Sequence, residues 1–218
     1  MLEYAGGWAW GFSAADHVVG YVEGIALADP VEPTHIVCEK SAPVTPDGAI
    51  SAPVIATLPM GSLLHGTICG ACLTTEYGCV SLSHLRAVGE HEADPVIVAE
   101  RLLGAPFRPG GRSAGGIDAA GLIQLSLLLC GLAAPRLPDQ LAGFGEPVPE
   151  ESAARRGDLV LFDPGSSPGQ APGSGPGQAP GIGLMIDDLM MIHASRTAGR
   201  VVVEPAPHDP ILRRRPPL

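Results

Sequence analysis

Cysteine, histidine and carboxylate side chains at short spacing are where chemistry would start, and this chain carries them in two groups. In the first, Cys69 and Cys72 are separated by two residues, Cys79 and His84 follow, and His65 lies just upstream. Zinc takes thiolate and imidazole ligands, and a C-x2-C pair is half of a common structural zinc site. The second half here is not such a pair. A zinc-stabilised interaction module therefore stands as an alternative reading, while the expectation is no metal and no cofactor. The second group is spread along the chain: Ser113, Asp118, Ser126, Cys130 and His193, with no histidine between His91 and His193. Asp118 has the place and type of a helix N-cap. Cys130 reads as a buried small hydrophobe.

These residues need elements to hold them. Asp118 to Cys130 is apolar nearly all round and closes at Gly131, which describes a helix packed on several sides. Asp94-Pro95 marks another helix start, an N-cap followed by the proline favoured at the first helical position, and Gly104 stops that helix. Asp158 to Phe162, Ile182 to Ile186, Leu189 to Ala194 and Arg200 to Glu204 read as four strands, with Asp187-Asp188 as a tight turn and His193 on the third strand. The expected class is α+β, a buried helix followed by an antiparallel sheet. Residues 1 to 88 read instead as short strands between glycines and prolines. They run through Trp8, Trp10, Val18, Val19, Tyr21 and Val22, then His35 to Cys38, Ser51 to Leu58, Leu63 to Ile68 and Cys79 to Leu82, a pattern that suggests a small barrel. Pro164 to Pro180 contains PGQAPG twice and lacks the bulk a core needs, so it is expected as a flexible insertion. Arg213, Arg214 and Arg215, set between prolines, read as a solvated tail.

The composition narrows the functional classes. A net charge of -10 argues against nucleic acid as a partner, because such binding rests on a basic surface that releases counterions. No apolar run reaches the roughly 18 residues of a membrane-spanning helix. The first ten residues, MLEYAGGWAW, hold neither a basic leader nor an apolar signal core, and the five cysteines are an odd number. Both features point to a cytoplasmic location.

At Gly110 to Gln124 the chain reads GGRSAGGIDAAGLIQ. This resembles the NlpC-type bacterial cell-wall cysteine peptidases, in which a glycine pair leads to Asp-Cys-Ser-Gly-Leu at a helix start. RGDLVLF at Arg156 to Phe162 is similar to the family's Gly-Asp-Leu strand, and GIGLMIDDLMMIHAS is similar to the hairpin after it, which normally begins with His and ends in His-Ala. GCVSLSHL and ADPVIVAERLLGAPF resemble the end of a bacterial SH3-like domain and the helix linking it to the peptidase. GWAWGFSAADHVVGYV resembles the closing half of another such domain. The resemblance implies a partial SH3-like segment at 1–30, an SH3-like β-barrel at 31–88, and a papain-like domain at 89–218 interrupted by the insertion at 164–180.

Relatives in that family cut the γ-D-glutamyl bond to the diamino acid in peptidoglycan stem peptides, and the resemblance assigns the parts of the reaction to positions here. The nucleophile's position holds Ala119. The base's position holds Gly181, and the third polar member matches His193. Asp118 matches an aspartate that helps hold the substrate amine. Pro109, Ala120 and Leu137 replace further family residues. A thiolate at a helix start with an imidazole beside it is what such catalysis requires, and a methyl group cannot attack a carbonyl. Cys130 lies roughly 16 Å along the helix and cannot stand in. The expectation is a catalytically inactive homologue, a binding or regulatory protein whose partner is a murein stem peptide or another protein. The rival within the enzyme class is a hydrolase of murein-derived γ-D-glutamyl peptides using substitute groups such as Ser113 or Ser126.

Overall fold

The computed structural model describes residues 2–13, 18–49, 51–163 and 180–218. Most of the expected insertion, 164–179, lies outside the described residues. The chain divides into two compact units, Met1–Glu32 and Pro33–Leu218. The first is an antiparallel sheet of β1 (Glu3–Ala5), β2 (Trp8–Phe12) and β3 (Val19–Glu23) in that order. Its register sets Trp8 opposite Glu23 and Trp10 opposite Tyr21.

The second unit opens with eight short strands: β4 (His35–Val37), β5 (Ser41–Thr45), β6 (Ala56–Pro59), β7 (Leu63–Leu64), β8 (Thr67–Cys69), β9 (Cys72–Thr75), β10 (Gly78–Ser81) and β11 (Leu85–Ala87). They build a five-stranded sheet, β6-β5-β10-β9-β8, and a three-stranded one, β11-β4-β7. Val37, Ala42, Val44, Leu64, Leu73, Val80 and Leu85 form the core of these strands. The run expected as one strand from Leu63 to Ile68 is split between the two sheets. It breaks at Gly66, where a side chain would come within 2.4 Å of the Thr74 carbonyl oxygen. The strand expected from Ser51 begins only at Ala56.

The remainder is built around helices. Asp94 caps α1 (Pro95–Arg101) by accepting from Val96 N at 2.8 Å. A two-stranded ribbon, β12 (Arg112–Ser113) and β13 (Gly116–Ile117), leads into α2 (Ala119–Leu129). After α3 (Pro138–Leu141) comes a six-stranded sheet made of β14 (Glu146–Pro147), β15 (Leu159–Phe162), β16 (Gly181–Met185), β17 (Met190–Ser195), β18 (Arg200–Pro205) and β19 (Leu212–Arg215), in the order β14-β19-β15-β16-β17-β18. The four expected strands are its antiparallel meander, β15 to β18. Leu159, Leu161, Ile182, Leu184, Ile192 and Ala194 turn one face of that meander toward α2 and α1 in the main core. Met60, from the strands upstream, joins the same core.

The tail reading of Arg213 to Arg215 is overturned. These residues form β19, inserted between β14 and β15, and all three are half-buried. Each guanidinium has a fixed partner. Arg213 donates to the Ser152, Pro149 and Glu150 carbonyls, Arg214 donates to the Ala142 carbonyl, and Arg215 forks onto Asp158 with two 2.8 Å bonds. Asp158 is 1% exposed. A planar guanidinium is the cation suited to a buried carboxylate because it fills both oxygens at once.

Candidate functional site

The turn before α2 is held by one carboxylate. Asp118 accepts from Gly121 N at 2.7 Å through Oδ1, which caps the helix. Its Oδ2 accepts from Gly110 N at 2.8 Å and from Arg136 Nη2 at 2.7 Å. One side chain thus joins the glycine turn, the helix start and the loop before α3. The glycines are required by proximity. A Cβ on Gly121 would sit 2.4 Å from the Gly111 carbonyl oxygen, and one on Gly111 would sit 2.4 Å from that of Gly116. Ala119 is the first residue of the helix and half-buried; Ala120 beside it is 3% exposed and lies in the main core.

The strand side is a separate network. His193 on β17 is 4% exposed, and its Nε2 lies 2.8 Å from Glu204 Oε2 on β18. The Phe162 ring meets the imidazole edge-on, with centroids 5.5 Å apart and planes at 74°. Gly181 pairs with Phe162 across β15 and β16, and Gly183 pairs with His193 across β16 and β17. Opposed residues share a face, so Gly181, Gly183, Phe162 and His193 line the sheet face opposite to Ile182, Leu184 and Ile192. The Phe162 ring fills the space beside Gly181: a Cβ there would come within 2.6 Å of ring atoms Cε2 and Cζ.

Other candidates are placed apart from both networks. Ser126 is fully buried in the middle of α2, and its Oγ has no hydrogen-bond partner among the described residues. Ser113 lies on the β12 ribbon. Cys130 is the C-cap of α2, half-buried rather than fully buried, and desolvation with the nearby Asp94 and Glu92 carboxylates pushes its thiol pKa up to about 11. Pro109 is exposed, and Leu137 is 47% exposed. Among the described residues no three His, Cys, Asp or Glu side chains group as a metal site, so the zinc alternative has no assembled ligand set.

Residues 104–214, half of the chain, match the NlpC/P60 family model. The chain belongs to the NlpC/P60 family. A curated relative of this NlpC/P60 chain, dipeptidyl-peptidase 6 of Lysinibacillus sphaericus, is 26% identical over 189 residues. That match covers 78% of this chain, which spans only 63% of the relative's length. An NlpC/P60 family protein of Bacillus cereus ATCC 10987 has the same fold, with a TM-score of 0.74 at 17% identity over 98% of this chain and 77% of its own. NlpC2 of Trichomonas vaginalis is more distant, with a TM-score of 0.51 at 16% identity over 98% of this chain and 82% of its own.

Two residues of the site escaped the sequence reading. Phe162 and Glu204 matter through cross-strand neighbours, and a partner on another strand is set by register, which no local motif carries. Arg136, whose ion pair to Asp118 joins positions 18 residues apart, is likewise brought to the site only by the fold. No helix among the described residues is long and apolar enough to cross a membrane.

Proposed function

We propose that this NlpC/P60 chain is a non-hydrolytic member of its family, a binding or regulatory protein for murein-derived γ-D-glutamyl peptides. In that reading, residues 31–88 act as an SH3-like module beside a papain-like domain. The observation that carries it is the pairing of two losses. The helix-start position that needs a thiol has the Ala119 methyl, and the base's position has Gly181 with the Phe162 ring packed into the space an imidazole would need. Acyl transfer by a cysteine requires both a nucleophile and a proton carrier within hydrogen-bond reach. The remaining imidazole, His193, is engaged by Glu204. Ser126, one of the two substitute hydroxyls, is sealed in the core.

Recognition is supported by what remains at the helix start. A carboxylate offers about four acceptor sites, and three of those of Asp118 are taken by Gly121, Gly110 and Arg136. The last is free in kind to accept from a peptide ammonium. The likeness to a dipeptidyl-peptidase directs the choice of ligand toward small peptides.

The test is mass-spectrometric detection of diamino acid released from L-Ala-γ-D-Glu-diaminopimelate, together with calorimetric titration of the same peptide. The native chain should bind without turnover. Asp118→Asn, which keeps an oxygen for the cap, should weaken binding roughly tenfold, the size expected for one charge-assisted hydrogen bond. Ala119→Cys and Gly181→His should each stay inactive, and Phe162→Ala should be needed alongside both for any release. Turnover by the native chain, abolished by Ser113→Ala, would overturn the reading in favour of a substitute nucleophile.

A further inference from the structure

The C-x2-C pair has an arrangement of its own on the β8–β9 hairpin. Cys69 and Cys72 are direct partners across the β8–β9 hairpin, whose two-residue turn is Gly70-Ala71 with Gly70 at φ 60°. Directly opposed residues on antiparallel strands have Cα atoms about 4.5 to 5.5 Å apart and side chains on one face. A disulfide spans Cα separations of about 4.4 to 6.8 Å. The Cα separation of such a pair therefore falls within the range a disulfide spans. Both thiols are free; Cys69 is exposed and Cys72 half-buried.

The sheet turns this pair outward. Leu73, the next residue after Cys72, is fully buried in the strand core, so alternation directs Cys72 away from it. Cys79, the third cysteine on that outer face, is buried, with its Sγ 3.8 Å from Thr74 Oγ1 and 4.0 Å from the Pro46 carbonyl oxygen. The backbone of Gly48 lies against both: a Cβ there would be 3.0 Å from Cys72 Sγ and 3.4 Å from Cys79 Cβ. Only Cys69 meets solvent freely, and only Cys72 stands directly across from it.

We propose that Cys69 and Cys72 form a redox-active dithiol that exchanges with low-molecular-weight disulfides. The Cys69 thiolate attacks one sulfur of the incoming disulfide, whose S–S bond breaks and releases one thiol. Cys72 then attacks the Cys69 sulfur of the mixed disulfide and expels the second thiol. The pair loses two protons and two electrons in all, and the incoming disulfide becomes two thiols. Closing so short a loop gains little chain entropy, and an exposed disulfide is readily reduced, so the exchange runs both ways.

The test uses the fully reduced chain in a graded series of oxidised and reduced glutathione, followed by acid quench, alkylation in denaturant and peptide mass mapping. The expected result is loss of two of the five alkylatable thiols, recovery of a peptide linked between Cys69 and Cys72, and return of both thiols on reduction. Cys72→Ser should stop at a glutathione adduct on Cys69. A glutathione adduct that persists on Cys69 in the native sequence while Cys72 still alkylates would overturn the proposal. So would a link from Cys72 to Cys79, or no loss of thiols across the series.

Discussion

At the start of α2 a single carboxylate ties together the glycine turn, the helix and Arg136, and the first residue of the helix is Ala119, whose methyl carries no reactive group. On the sheet, the space beside Gly181 is occupied, because Phe162 has its ring there and edge-on to His193. The first region is a frame held by hydrogen bonds, and the second is a sheet face filled by an aromatic ring. The difference concerns what each region owes to folding. A helix cap contributes stability whatever stands at the next position, so the frame around Asp118 is held by its own energetics. A void on a sheet face costs dispersion contacts until some side chain fills it.

The largest effect should come from emptying the ring-filled face of the sheet. Phe162 is 2% exposed, and Phe162→Ala should destabilise the chain by about 3 to 5 kcal/mol, the range for losing a buried aromatic with incomplete collapse around the cavity. Urea unfolding measures it. A loss below about 1 kcal/mol would mean that the ring is not a packing element and that the contrast between the two regions fails at its stronger side.

Next comes the frame. Asp118→Ala removes the cap and leaves the Arg136 guanidinium, on a side chain only 12% exposed, without its carboxylate. The expected cost is about 2.5 to 4 kcal/mol, combining a cap of about 1 with a charged hydrogen bond of about 1.5 to 3. Asp118→Asn should recover about half, because an amide oxygen still accepts from Gly121 N. If Asn recovers nothing, the ion pair to Arg136 rather than the cap is what holds the turn.

These energetics also show what could be read from the sequence. Asp94, Asp118 and Gly131 announced their helix ends through local rules, and the meander from Leu159 to Pro205 was legible because each strand carries its own apolar run. β5 was missed because Pro43 argues against a sheet interior; it is tolerated where β10 pairs only with Val44 and Thr45. β19 was missed because three consecutive arginines look like a solvated tail; the carbonyls that hold Arg213 and Arg214 and the buried Asp158 that pairs with Arg215 are brought to them only by the fold. For the candidate site the resemblance points to Asp118, Ala119, Gly181 and His193, and the structure sets Asp118 and His193 in separate hydrogen-bond networks. What fills the space beside Gly181 depends on the register between β15 and β16 across a long connection, and no local spacing encodes that.

The smallest effect in stability belongs to Ala119→Cys, and it sharpens the comparison most. Ala119 is half-buried at the first position of an intact helix, so a thiol there should change stability by no more than about 0.5 kcal/mol, as for other substitutions outside the tightly packed core. The new thiol would sit at the positive end of the helix, which favours thiolate and should bring its pKa below the ordinary thiol value. Cys130, at the other end of the same helix, is held at about 11 by burial and by Asp94 and Glu92. The pH profile of iodoacetamide alkylation, mapped by peptide mass, reads both thiols in one sample. The engineered thiol should react by neutral pH and Cys130 only as pH rises toward 11. The Cys130 shift also fixes a sign: between the ordinary thiol value of 9.0 and about 11 the unfolded chain releases a proton that the folded chain keeps, so folding stability falls as pH rises through that window. An engineered thiol no more reactive than Cys130 would show that the helix start does not favour an anion, and the contrast between the Asp118 frame and the ring-filled sheet face would fail.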